Sequence, residues 1–163
     1  MIAAVLACAL PACVVIQENT QPDCHSASPI RLMAAAVPSA TRIPCVRSLP
    51  LGWDYGSFSA ERDKAQFTLE GNGEDGGELV VTLRPACDVA NASARPSDEQ
   101  GARMYEPSPG ADAGYGRARI YTFPGGCALY RFSFEREPGQ DLVASVLDDV
   151  TFVDARSVDA TSD

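Results

Sequence analysis

Three short segments alternate apolar and polar residues with a period of two, and this limits the fold more tightly than any other feature. They are Ala65, Phe67, Leu69; Leu79, Val81, Leu83; and Tyr130, Phe132, Phe134. A period of two puts each apolar set on one face of a pleated strand. Turn-forming stretches separate the strands: Glu61 to Lys64, the glycine-rich run Gly71 to Glu78, and Pro124-Gly125-Gly126. Ser57 to Ser59 and Arg117 to Phe123 predict two more strands. The hairpin over 117–134 carries five of the twelve aromatic residues and is expected to supply the core of the sheet. Two stretches have helical spacing instead. In Pro29 to Ala40 the apolar residues are Ile30, Met33, Ala34 and Val37, and Pro38 stops the helix. In 139–150 they are Leu142, Val143, Val146, Leu147 and Val150. The expected fold is therefore α+β: an antiparallel sheet of four to five strands with two helices packed on it, stapled by disulfides. Arg42 to Trp53, interrupted by Pro44 and Pro50, predicts an extended strap. Residues 88–116 keep no period; they predict an insertion, either hosting a short helix capped by Ser97 or forming an exposed loop.

The N-terminus speaks of export. Residues 1–16 carry no charged side chain. At about 1.5 Å per residue they fall short of a bilayer's hydrocarbon core, as a signal-peptide core does. Leu10-Pro11-Ala12-Cys13 resembles the bacterial lipobox. That resemblance implies cleavage before Cys13 and lipidation of its sulfur, with palmitate-type acyl chains at the new N-terminus. Gln17 to Asp23 is polar and suits a tether. The expected organisation is 1–12 signal peptide, 13–28 lipidated Cys13 and tether, 29–153 one extracytoplasmic domain, and 154–163 a polar tail. An uncleaved anchor and a buried N-terminal helix are the alternatives.

The six cysteines are Cys8, Cys13, Cys24, Cys45, Cys87 and Cys127. Removing Cys8 with the signal and lipidating Cys13 leaves an even set, which an oxidising compartment pairs. Neighbouring segments favour Cys24–Cys45 and Cys87–Cys127 as structural disulfides among the three possible pairings. Such loops contribute about 3 and about 4 kcal/mol in the chain-entropy treatment. A metal site is disfavoured, because no C-x-x-C occurs and His25 is the single histidine.

Charge narrows the function classes further. Thirteen basic against twenty-two acidic residues give −9, which argues against nucleic acid as a partner. Among the basic residues twelve are arginine and only Lys64 is lysine, a bias that a GC-rich genome produces. Candidate chemistry is sparse. His25 stands beside Cys24 without a G-x-S-x-G nucleophile motif anywhere. Glu74-Asp75 lies in a loop without the ligand spacing of a calcium loop. Asp148-Asp149 fits a solvated helix face as well as an acid/base pair. Trp53 is expected to be a core anchor rather than a ligand platform. The predicted catalytic, cofactor-binding and metal residues are accordingly none.

Several segments in order carry a family resemblance: Ala36 to Ala40 with Ile43-Pro44-Cys45, Leu49 to Trp53, Ala65 to Glu70, Pro96 to Glu99, and Tyr121 to Phe134. Together they resemble uncharacterised membrane- or lipid-anchored actinobacterial ectodomains over residues 24–153. The resemblance implies an exported envelope domain with four structural cysteines and brings no activity. The functional expectation is a non-catalytic lipoprotein domain with a binding or accessory role at the outer face of the cytoplasmic membrane. It would be held there by its lipid anchor, with an envelope protein as a possible partner. The first alternative is a carrier of an apolar ligand, with a pocket lined by Phe67, Val81 and Phe132. The second is an envelope hydrolase using carboxylates among Glu61, Asp98, Glu99 and Asp148.

Overall fold

The computed structural model describes residues 21–73, 76–108, 116–138 and 140–159. Cys13, its lipobox and Glu74-Asp75 lie outside these residues. Within them the chain runs α1 (Ala27–Ala36), β1 (Arg42–Val46), β2 (Trp53–Glu61), β3 (Lys64–Gly71), β4 (Gly77–Arg84), β5 (Ala92–Arg95), β6 (Arg103–Pro107), β7 (Arg117–Phe123), β8 (Gly126–Phe134), α2 (Gln140–Asp149), β9 (Val150–Asp154) and α3 (Ala155–Asp159). Strands β2 to β8 form one seven-stranded antiparallel sheet in the order β2-β3-β4-β8-β7-β6-β5, and β1 pairs with β9 in a separate ribbon.

This corrects the expected α+β class with four to five strands. The molecule is mostly β, with seven strands in one sheet, two in another and three short helices. The strap that Pro44 and Pro50 suggested is β1, whose residues Ile43 to Val46 are all buried. Val150, placed at the end of a helix by its spacing, opens β9 instead. The stretch 88–116 folds into the β5–β6 hairpin. Ser97 accepts a hydrogen bond from the Glu99 amide at 3.2 Å, as a cap would, but no helix follows it. The polar tail begins with α3. Of the helices, α1 lies against β3 and β2, and α2, which runs directly into β9, buries Val146 and Leu147 in the core.

The register explains the core. Phe58, Phe67, Val81 and Tyr130 are cross-strand neighbours in one row, and Leu69, Leu79 and Phe132 in the next. Each of these is at most 6% exposed. Burying side chains of this size contributes about 1.5–3 kcal/mol apiece. The ribbon lies over this face and inserts Phe152 among Tyr121, Phe123 and Tyr130, with ring centroids 5.4 to 6.2 Å away. Helix α1 adds Ile30 and Met33, both buried.

Two disulfides close the frame. Cys24–Cys45 ties the segment before α1 to β1, beside the backbone bonds from Cys24 N to Val46 O and from Val46 N to Pro22 O. Cys87–Cys127 joins the chain as it leaves β4 to the start of β8, the strand that pairs with β4. The second bridge therefore sits where the β2–β4 and β5–β8 halves of the sheet meet.

Candidate functional site

The inner face of the large sheet changes character at β7. The row Phe67–Val81–Tyr130 continues into Arg119, and the row Leu69–Leu79–Phe132 continues into Arg117. Beyond β7, β6 pairs only through Arg103 to Tyr105, so Glu106 and Pro107 part from the start of β7. Where the strands part there is a cavity of about 590 Å3. Its lining includes Arg95, Glu106, Arg117, Arg119, Phe132 and Val143 of α2. Arg131 and Ser133, whose register places them on the opposite face of β8, border it as well. The volume lies in the roughly 300–1,000 Å3 range of small-molecule sites.

The charges at this groove are partly paired. Arg95 Nε meets Glu106 Oε2 at 2.8 Å across the β5–β6 hairpin. Arg119 Nη1 lies 3.5 Å from Asp98 Oδ2. Asp98 Oδ1 also accepts a hydrogen bond from the Tyr121 hydroxyl at 2.9 Å. Among the described residues Arg117 has no ion-pair partner. Arg117 sits on an exposed strand end beside the buried ring of Phe132.

Behind Arg119 is a tyrosine–carboxylate cluster. Burial pushes the Tyr121 phenol well above its usual range, and Asp98 adds to the rise. Burial raises Tyr130 further, with smaller contributions from Tyr121, Glu99 and Asp98. Glu99 is also raised, first by burial, with the opposing hydrogen bond to Thr151 and the cations Arg42 and Arg47 holding it back. Both phenols thus stay protonated: Tyr121 donates to Asp98, and Tyr130 contributes its ring to the core.

Among the described residues the Tyr130 hydroxyl has no hydrogen-bond partner, although it is fully buried. An unpaired buried hydroxyl is a cost, so its removal relieves the fold. Tyr130→Phe is expected to be neutral or stabilising by up to about 1 kcal/mol. Calorimetric unfolding checks this; a lower midpoint would mean that the hydroxyl is satisfied in solution.

Other residues singled out in the sequence are dispersed. Glu61 ends β2 at one edge of the sheet, while Asp98 and Glu99 follow β5 at the opposite edge. The Asp98 carboxylate reaches back to Tyr121 and Arg119 of β7, four strand spacings of about 4.8 Å from β2. Asp148 is exposed on α2, and Asp149 accepts bonds from the Arg47 amide and the Ser48 hydroxyl, which latch α2 to the chain after β1. Of the four carboxylates named for a hydrolase, Asp98 and Glu99 share the tyrosine cluster, while Glu61 ends β2 and Asp148 lies on α2. Phe67 and Val81 are both 0% exposed and do not line the groove, whereas Phe132 does. His25 is exposed and bonds Asp23 through its amide and its ring. Trp53 is buried at the start of β2. No group of three or more potential metal ligands occurs among the described residues.

No family model, curated protein or solved structure matches this chain. Arg95, Arg117 and Arg119, which line the groove, are scattered in the sequence, and only strand register gathers them. One signal was present: Arg117 and Arg119 alternate with Ala118 and Ile120, so they share a strand face with Tyr121 and Phe123.

Proposed function

We propose that this protein is a non-catalytic, extracytoplasmic binding module, tethered to the outer face of the cytoplasmic membrane by acyl chains on Cys13. Its ligand sits in the groove between β6, β7 and α2. The observation that carries the binding reading is the groove itself, a concave site of about 590 Å3 on a sheet whose halves are cross-linked by Cys87–Cys127. Rigid frames of this kind display recognition surfaces well. Export is supported by the two disulfides, which persist in oxidising compartments. The anchoring is supported by the lipobox at Leu10 to Cys13 and by the resemblance to anchored actinobacterial ectodomains. Among the described residues no helix is long and apolar enough to cross a membrane.

Metabolic labelling with a palmitate analogue tests the anchor. The full-length chain is expected to take up label and to fractionate with membranes. Cys13→Ala is expected to lose the label completely, and globomycin to cause an uncleaved form to accumulate. A Cys13→Ala chain that labels and fractionates like the parent would overturn lipid anchoring. Crosslinking in the intact envelope then tests the binding role. Crosslinks at the groove support it, and crosslinks confined to the outer face of the large sheet would move the binding surface elsewhere.

A further inference from the structure

We infer that the turn at Leu51 is a membrane contact, an apolar side chain set against the acyl region of the bilayer that anchors the chain. The inference rests on the lipidation of Cys13 proposed above. A single exposed leucine is common on protein surfaces. Leu51 differs in how it is held and in where it stands. It is fully exposed, whereas Leu32 of α1, the other large apolar side chain open to solvent among the described residues, is 39% exposed. Its flanks are fixed. Pro50 and Trp53 are buried, the Trp53 amide donates to Pro50 O at 3.0 Å, and the Asn72 amide donates to Gly52 O at 2.7 Å. Gly52, at φ +80°, supplies the left-handed residue that such a turn needs. The turn is thus pinned between the start of β2 and the end of β3, which holds Leu51 outward.

The chain enters the fold at the same end. Cys24 N donates to Val46 O and Val46 N to Pro22 O, so the entry lies against the last residue of β1, from which the connection to β2 carries Leu51. Burial, and after it the charge of Asp23, pushes the Tyr55 phenol up to about 12, which puts the entry close to the first residues of β2 as well. The eight residues Val14 to Gln21 separate Cys13 from Pro22 and span at most about 30 Å when fully extended. An acylated Cys13 therefore keeps this end near the bilayer, where lipid is at high effective concentration and a weak apolar contact is populated. The contact gains by removing leucine surface from water. Charge does not help it: Arg47 before the turn and Asp54 after it are exposed and of opposite sign, and the whole chain carries −9. Anchor and leucine together fix two points, which orients the domain on the membrane instead of leaving it to turn about its tether.

Photolabelling of the full-length acylated chain in phosphatidylcholine vesicles tests this, with phosphatidylcholine bearing a diazirine on its acyl chain as the probe. Label is expected on the tryptic peptide 48–62, which contains Leu51. Leu51→Asp is expected to lower that labelling at least about tenfold, because a carboxylate must shed water where a leucine gains by leaving it. Flotation of this variant with the vesicles, which depends on Cys13, is expected to be unchanged. Leu32→Asp is expected to leave the label on 48–62 as it was. Added phosphatidylglycerol is also expected to leave it unchanged, and labelling that requires the anionic lipid would overturn the apolar contact in favour of an electrostatic one. If the chain floats with the vesicles and Leu51→Asp labels like the parent, the contact fails and the anchor stands. If the chain neither carries acyl chains nor floats, anchor and contact fail together. If a photoreactive phenylalanine analogue in place of Leu51 captures a single envelope protein in intact cells and no lipid, the turn docks a protein and the membrane contact is overturned.

Discussion

Gly125→Ala is expected to destabilise the protein by at least about 3 kcal/mol, the upper range for single substitutions. Gly125 has φ +75°, in the left-handed region that costs a residue bearing Cβ about 1–2 kcal/mol. The second contribution is steric. A Cβ there would lie 1.7 Å from the carbonyl oxygen of Ser39, so one backbone must move away. That contact seats the end of the α1–β1 connection on the β7–β8 turn, where the Thr41 amide and hydroxyl both bond Pro124 O, at 3.3 and 2.8 Å. Separating them loosens the entry to β1 and with it the ribbon that carries Phe152. Thermal or denaturant unfolding would measure the effect. A change below about 1 kcal/mol would show that the turn adapts and that the seating contributes little. Gly126→Ala is not an adequate control, because a Cβ there also meets Phe123 and Ala40 closely. Gly73→Ala, with open space around it, is the appropriate one.

Removal of the Cys87–Cys127 bridge by a double serine substitution is expected to cost about 4 kcal/mol, the chain-entropy value for a loop of this length. The separation is 40 residues, and the bridge joins strands β4 and β8 where the two halves of the sheet meet. For a domain near this size the loss lowers the melting midpoint by roughly 10–15 °C. Cys24–Cys45 closes a shorter loop of 21 residues beside existing backbone bonds, so its loss is expected to cost less, about 3 kcal/mol. Non-reduced peptide mapping should recover both pairs from exported protein. Free thiols at all four positions would contradict both the pairing and export to an oxidising compartment. Equal stability of the double-serine variant and the parent would show that the β4–β8 ladder alone holds the halves together.

Local chemistry was legible in the sequence wherever it acts over a few residues. The alternation in Ala65 to Leu69, Leu79 to Leu83 and Tyr130 to Phe134 identifies β3, β4 and β8 and their buried faces, because a half-buried strand repeats every two residues. Helix α1 follows from Ile30, Met33 and Val37, with Pro38 preventing its continuation. The cysteine pairing followed from chain proximity, which favours the shorter loop closures. Tertiary structure alone decided the rest. β1 contains Pro44 and has no alternation, since it is buried on both sides; its strand state depends on β9, more than 100 residues away in the chain. β5 and β6 are too short and polar to announce themselves; β6 exists by pairing with β7, and β5 by pairing with β6. The groove was invisible for the same reason. Arg95, Arg117 and Arg119 become neighbours of Phe132 only when cross-strand register is set, and register is a long-range property. Sequence determined which segments could be strands. The pairing of distant edges determined where the charge, the apolar wall and the opening meet.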